Sequence, residues 1–207
     1  SPTTEYSLVP ERFAWWAAPY YEGTGYQFST YVPHEPEALI AKLGGREPFL
    51  DWLDLFFRIK PAPDGYDSKG LYTHVNEPDL LAPYLYLHAG KPERTQRIVR
   101  DILAKQYRHA RGGLPGNDDA GTMSAWYVWN SIGLYPNAGQ PYYYLVSPVF
   151  RSARIDLGGG KSFTIEAPAT SPKNAYIRSA TLNGKPLDRS WITHEELANG
   201  GKLVMDL

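Results

Sequence analysis

About two-thirds of the way along the chain the apolar residues change period, from every third or fourth position to every second, which limits the fold to a helical region followed by a β-rich one. Leu39, Ile40 and Leu43 share helical spacing within Glu37 to Leu43, with Pro36 suited to a first turn and Gly44-Gly45 to a stop. Phe49, Trp52, Leu53, Phe56 and Phe57 mark a second helix, closed by the turn-rich Pro61-Ala62-Pro63-Asp64-Gly65. A third helix is expected from a cap at Asp79 to about Ala89. A fourth opens at Pro92 with Ile98, Val99, Ile102, Leu103 and Tyr107 on its face, and a fifth runs from about Asp119 to Ile132. Short connections make these helices antiparallel neighbours, as in a bundle or a helical toroid. Beyond about Pro141, Phe163 to Ala167 and Ala175 to Leu182 alternate like strands, Asn183-Gly184 signals a two-residue hairpin before Lys185-Pro186-Leu187, and Lys202 to Leu207 reads as a last strand. The expected organisation is a mainly α region over 1–140 and a β-rich region over 141–207.

Charge narrows the function. Lys and Arg number 21 against 22 Asp and Glu, and a net charge of -1 gives no electrostatic basis for binding nucleic acid or an anionic membrane surface. No stretch approaches the roughly 20 apolar residues of a membrane span, and Ser1-Pro2-Thr3-Thr4 carries neither the basic nor the apolar part of a signal peptide. The absence of cysteine removes disulfides, thiolate metal sites and Cys nucleophiles. Six Trp, 16 Tyr and 7 Phe suit the faces of sugars, and they serve equally well as core.

Three segments concentrate carboxylates, amides, glycines and aromatics where loops should join helices, which is where sites are built. They are Tyr20-Tyr21-Glu22-Gly23-Thr24-Gly25-Tyr26-Gln27-Phe28, His74-Val75-Asn76-Glu77-Pro78-Asp79, and Gly113-Leu114-Pro115-Gly116-Asn117-Asp118-Asp119-Ala120-Gly121. Singly, each has a plainer reading: Glu22 as a solvated loop acid, Glu77 and Asp79 as a capping pair, Asp118 or Asp119 as a helix N-cap. Together they meet the demand of glycoside hydrolysis by inversion, one protonated carboxyl for the leaving oxygen and one ionised carboxylate to activate water. Glu22 follows Trp15, Trp16, Tyr20 and Tyr21, and rings walling it from water would raise its pKa as an acid requires. Asp119 at a helix N-terminus would be held as the anion, which suits a base. Spacing leaves open whether Asp118 or Asp119 has that role.

Glu22 to Gln27 and Val32-Pro33-His34-Glu35, Asn76-Glu77-Pro78 with Tyr84-Leu85-Tyr86, Gly113 to Asp119 with Gly121 and Met123 to Val128, Gly133-Leu134-Tyr135-Pro136, Ser179 to Gly184 and Gly200 to Leu203 occur in an order that resembles glycoside hydrolase family 92 over nearly the whole chain. The resemblance implies the second half of an (α/α)6 toroid followed by β-strands, and a calcium-dependent exo-α-mannosidase that inverts configuration. It implies action on terminal non-reducing α-linked mannose of mannosides, N-glycans or mannans, through α-1,2 or related linkages. By position, Glu22 matches the family's general acid and Asp119 its base, with Asp118 the alternative. His74, Asn76, Glu77 and Asn117 match substrate-binding positions, and Gln27 and Glu77 the calcium neighbourhood. A secreted or periplasmic location follows from the same resemblance.

Some branches carry a second aspartate where this chain has Asn117, and many α-1,2-active members an acid where it has Val75; a common Cys is Ala120, and a His pair after Pro78 is replaced by Leu80 and Leu81 nearby. Twelve helices close an (α/α)6 ring and about five are readable, so the chain is expected to need an N-terminal partner segment of the same enzyme to cover its apolar faces. The competing readings are a non-catalytic mannose-binding fragment and another (α/α)6 glycosidase, acting for instance on glucosides.

Overall fold

The computed structural model describes residues 20–60 and 71–207, so Trp15, Trp16 and the turn expected at 61–65 lie outside the described residues. The chain divides into two compact units, 1–90 and 91–207.

In the first unit, helices α1 (Gly25–Phe28), α2 (Pro36–Lys42) and α3 (Arg46–Phe56) precede a broken helical run. Pro36 opens α2, and Gly44 and Gly45, at φ 97° and 94°, end it: the Gly45 amide reaches back to the Ile40 carbonyl in a left-handed stop that a side chain would strain. Of the face its spacing gives, Phe49, Leu53 and Phe56 are buried while Trp52 and Phe57 are partly so, and Leu50 joins the buried side. Phe56 packs with Leu71 and Ala82, and the rings of Trp52, Phe57 and Tyr72 gather round them. The helix expected from Asp79 to Ala89 is instead three short pieces: α4 (Glu77–Leu80), a 3₁₀ turn (Ala82–Tyr84) and α5 (Leu85–His88). Pro83 lies within the break and has no amide to donate, so the α-helical ladder cannot run through it. The N-cap of α4 is Asn76, not Asp79, which is buried inside its first turn.

In the second unit, α6 (Pro92–Lys105) buries Val99, Ile102 and Leu103, and α7 (Thr122–Ile132) buries Met123 and Trp126. The β texture begins earlier than Pro141, directly after Gly133 ends α7 in a left-handed cap. Strands β1 (Leu134–Pro136), β2 (Tyr142–Leu145) and β7 (Trp191–Thr193) form an antiparallel sheet in the order β1-β2-β7. A five-stranded sheet has the order β3-β4-β8-β5-β6, from β3 (Ser152–Gly158), β4 (Lys161–Glu166), β5 (Ser179–Leu182), β6 (Lys185–Leu187) and β8 (Gly201–Asp206). β8 pairs parallel to β4 and antiparallel to β5. The β5-β6 hairpin turns at Asn183 and Gly184, both with positive φ (52° and 78°), the two-residue geometry that matches strand twist. Leu134, Leu145, Phe163, Ile165, Ile192, Leu203 and Met205 form the apolar core, joined by Leu197 of the short helix α8 (His194–Ala198). The strand expected from Ala175 is confined to its last four residues.

Candidate active site

The three polar segments seen in the sequence fold into two arrangements, one in each unit.

In the first unit, Glu22 lies in the tight turn that enters α1, half-buried and with φ 49°, a left-handed conformation that a residue with a Cβ seldom adopts unless its surroundings impose it. Those surroundings can be named. Thr24 caps α1 through a reciprocal box: its hydroxyl accepts from the Gln27 amide at 3.4 Å while the Thr24 amide donates to Gln27 Oε1 at 2.9 Å. Tyr20 stacks on Phe28 with centroids 5.5 Å apart. A Cβ on Gly23 would come within 2.8 Å of the Phe28 ring, so only glycine lets the turn close so tightly. Of the four rings anticipated around Glu22, Trp15 and Trp16 lie outside the described residues, Tyr20 is turned onto Phe28, and Tyr21 is 68% exposed.

α4 packs against α1 and brings the second segment to Glu22. The Asn76 side chain donates from Nδ2 to the Glu22 carbonyl at 2.8 Å, across 54 positions of sequence. Glu77 opens α4, half-buried. Three residues of these segments, Asp79, His74 and Gln27, are buried where loop residues of a sugar site would be expected to face solvent. Asp79 is 1% exposed; its Oδ2 accepts from the Thr73 amide at 2.9 Å, and among the described residues its Oδ1 has no hydrogen-bond partner. Burial pushes its carboxyl up to about 8, against the pull of the Thr73 amide, the Gln27 side chain and the Arg58 charge, so at neutral pH it is a neutral acid. His74 is buried as well; Tyr72 Oη lies 2.8 Å from its Nδ1, and desolvation lowers its pKa to about 3, leaving a neutral imidazole. Gln27 is buried, its Oε1 taken by Thr24 and its Nε2 3.4 Å from the Leu71 carbonyl.

In the second unit, Asp119 does not head α7 as expected. The helix starts at Thr122, with Gly121 as N-cap at φ 90°, and Asp119 and Ala120 precede it in left-handed conformations at φ 43° and 59°. The carboxylate that serves the helix start is Asp118: its Oδ1 accepts from the Ser124 amide at 2.8 Å and its Oδ2 from the Ser124 hydroxyl at 2.9 Å. The Asp119 carbonyl is held by the Thr122 hydroxyl at 2.7 Å and the Thr122 amide at 3.2 Å, while its residue stays exposed, as does Asn117. At the base of the loop Gly113 passes so close to Arg108 that a Cβ would meet the Arg108 carbonyl oxygen at 1.9 Å. Tyr107 stacks on Trp126 at 5.8 Å, nearly parallel, and donates to the Met123 carbonyl at 3.2 Å, fixing α7 beneath the loop.

Calcium needs about six to eight oxygen ligands. Among the described residues no group of three or more His, Asp or Glu gathers, and Gln27 spends its oxygen on Thr24. These residues do not compose a calcium shell by themselves.

Glycoside hydrolases of most families use two carboxyl groups, and each unit here presents one acid, Glu22 or Asp119, from a turn in the left-handed conformation. Residues 5–207 match the glycosyl hydrolase family 92 catalytic domain. The chain belongs to that family. It is 37% identical over 190 residues to an uncharacterized secreted glycosidase of Arthroderma benhamiae, covering 90% of this chain and 23% of that protein. Among solved structures it is similar to a family 92 α-mannosidase of Bacteroides thetaiotaomicron in complex with mannoimidazole (TM-score 0.82, 33% identity, 91% of this chain and 26% of that one). It is also similar to an inverting family 92 mannosidase from the same organism (TM-score 0.81, 34% identity, 95% and 29%). The chain thus spans about a quarter of the length of the relatives it matches.

Proposed function

We propose that this family 92 segment supplies both carboxyls for the inverting hydrolysis of terminal α-linked mannose, Glu22 as general acid and Asp119 as general base. One observation carries the assignment: five non-glycine residues among those described have positive φ, and the two acids among them are Glu22 and Asp119. Both are presented at cost, and the neighbouring alternative, Asp118, is committed to capping α7. In this reading Glu22 gives its proton to the glycosidic oxygen as that bond breaks, while Asp119 takes a proton from the water that attacks the opposite face of C1. Inversion by such a pair requires the acid and the base to be about 6.5–9.5 Å apart, which leaves room for the water. Asn76, Glu77, His74 and Asn117 are assigned to the sugar site and its supports. Calcium enters through the family alone, and Glu77 is the donor this segment would contribute. The toroid is completed by helices outside this segment, and a secreted location is supported by the Arthroderma relative.

The test uses the full-length protein carrying this sequence, acting on an unactivated α-mannoside. Glu22→Gln and Asp119→Asn should each lower kcat by about 10²–10⁴-fold, the range of a lost general acid or base, and proton NMR should show β-mannose as the first-formed product. Full activity in either variant removes that residue from the mechanism, and α-mannose as first product overturns inversion. Mannose binding without turnover in the unaltered protein would favour the non-catalytic reading.

A further inference from the structure

Asn76 is the N-cap of α4, at φ −147° and ψ 156°, yet its side chain makes no cap hydrogen bond. Asparagine is favoured at that position because its side chain can satisfy a free amide of the first turn, a contact usually worth about 1 kcal/mol. Here that local use is forgone. The amide group reaches instead to the carbonyl oxygen of Glu22 at 2.8 Å. A carbonyl only accepts, so the group facing it is the NH₂. The carbonyl belongs to the one residue of the α1 turn in the left-handed conformation, and its backbone orientation sets the direction in which the Glu22 side chain leaves the turn. On the far side the turn is fixed by the Thr24–Gln27 capping box and by the close approach of Gly23 to Phe28.

We infer that Asn76 is a positioning residue for Glu22, clamping its carbonyl so that the carboxyl is presented in the geometry proton transfer requires. The inference rests on the reading of Glu22 as general acid. It differs from a sugar-binding role for Asn76 in what it demands of the substrate. A misaimed acid penalises poor leaving groups, which need the proton, and spares good ones, which do not. A lost sugar contact penalises both alike.

The experiment compares Asn76→Ala, the isosteric Asn76→Asp, Glu22→Gln and the double variant Glu22→Gln/Asn76→Ala in the full-length protein, using methyl α-mannoside and 2,4-dinitrophenyl α-mannoside. Asn76→Ala should lower kcat on the methyl glycoside by about 10–100-fold, the cost of a displacement near 1 Å, and leave the dinitrophenyl glycoside nearly unchanged, with KM little moved on either. Asn76→Asp, which keeps the shape but loses an NH₂ donor, should follow the same pattern. On the Glu22→Gln background Asn76→Ala should add no further loss, because residues acting as one unit are not additive. Equal losses on both substrates, a rise in KM alone, additive losses in the double variant, or no loss at all would overturn the positioning role. So would failure of both Asn76 variants to fold, since the contact would then serve the structure rather than the acid. If Glu22→Gln itself shows no dependence on leaving group, the assignment of the acid fails instead, whatever Asn76 does.

Discussion

The two acid-bearing turns are built by different means. Glu22 is held by contacts within residues 20–28 and, in addition, by a bond from Asn76 54 positions away. Asp119 is held locally: every contact described for its loop comes from residues 107–126. The difference teaches where each side chain is vulnerable. A local loop persists as long as the helix beneath it does, whereas a turn clamped across the sequence depends on the tertiary packing of its whole unit and on the ionisation of its buried acid.

The largest effect should come from removing the support under the local loop. Trp126→Ala deletes a side chain 1% exposed that stacks on Tyr107 and should cost about 3–5 kcal/mol by chemical denaturation; a loss below about 1 kcal/mol would mean that the loop does not depend on α7 in this way.

The clamped turn should show its character through pH. The folded pKa of Asp79, about 8, lies above its ordinary 3.8, so the folded state keeps a proton that the unfolded state has released. Its contribution to stability is full below about pH 4 and is lost as pH rises towards 8. His74 runs the other way. Its folded value of about 3 lies below the ordinary 6.5, so its contribution is present above about pH 6.5 and lost as pH falls towards 3. Asp79→Asn should therefore flatten the alkaline limb of unfolding midpoint against pH, with a gain of about 1–2 kcal/mol at pH 8. An alkaline limb unchanged by the substitution would show that another group titrates there.

The smallest effect sharpens the contrast on the local side. Asp118→Ala removes the carboxylate on Ser124 and should cost about 1 kcal/mol of stability, as lost helix caps do, with activity falling far less than in Asp119→Asn. Equal activity losses in the two variants would return the base to Asp118.

What the sequence made legible follows the same division. Helices α2, α3 and α6 could be read because their apolar residues recur on one face, and the β5-β6 hairpin because Asn183-Gly184 can adopt two successive positive φ values. The polar segments were visible as clusters of unusual residues. Strand β2 was not: Tyr142, Tyr143 and Tyr144 run together without alternation because both of its edges are paired and its two faces are covered to similar degrees. The break at Pro83 was missed because apolar spacing continues across it. Asp79 looked like a cap because nothing local says that an acid will be buried, and the bond from Asn76 to Glu22 has no spacing rule to announce it. Spacing also left Asp118 and Asp119 equivalent; only the hydrogen bonds to Ser124 separate them.

The position of β8 has a consequence for how the molecule comes into being. It lies in the middle of the five-stranded sheet, between β4 and β5, so during vectorial synthesis those two strands wait with unsatisfied edges until residues 201–206 leave the ribosome. A chain stopped shortly before that point would carry every helix described above and no closed sheet. The β layer therefore closes only when β8 arrives, and a product lacking β8 would leave β4 and β5 open to pairing with other chains.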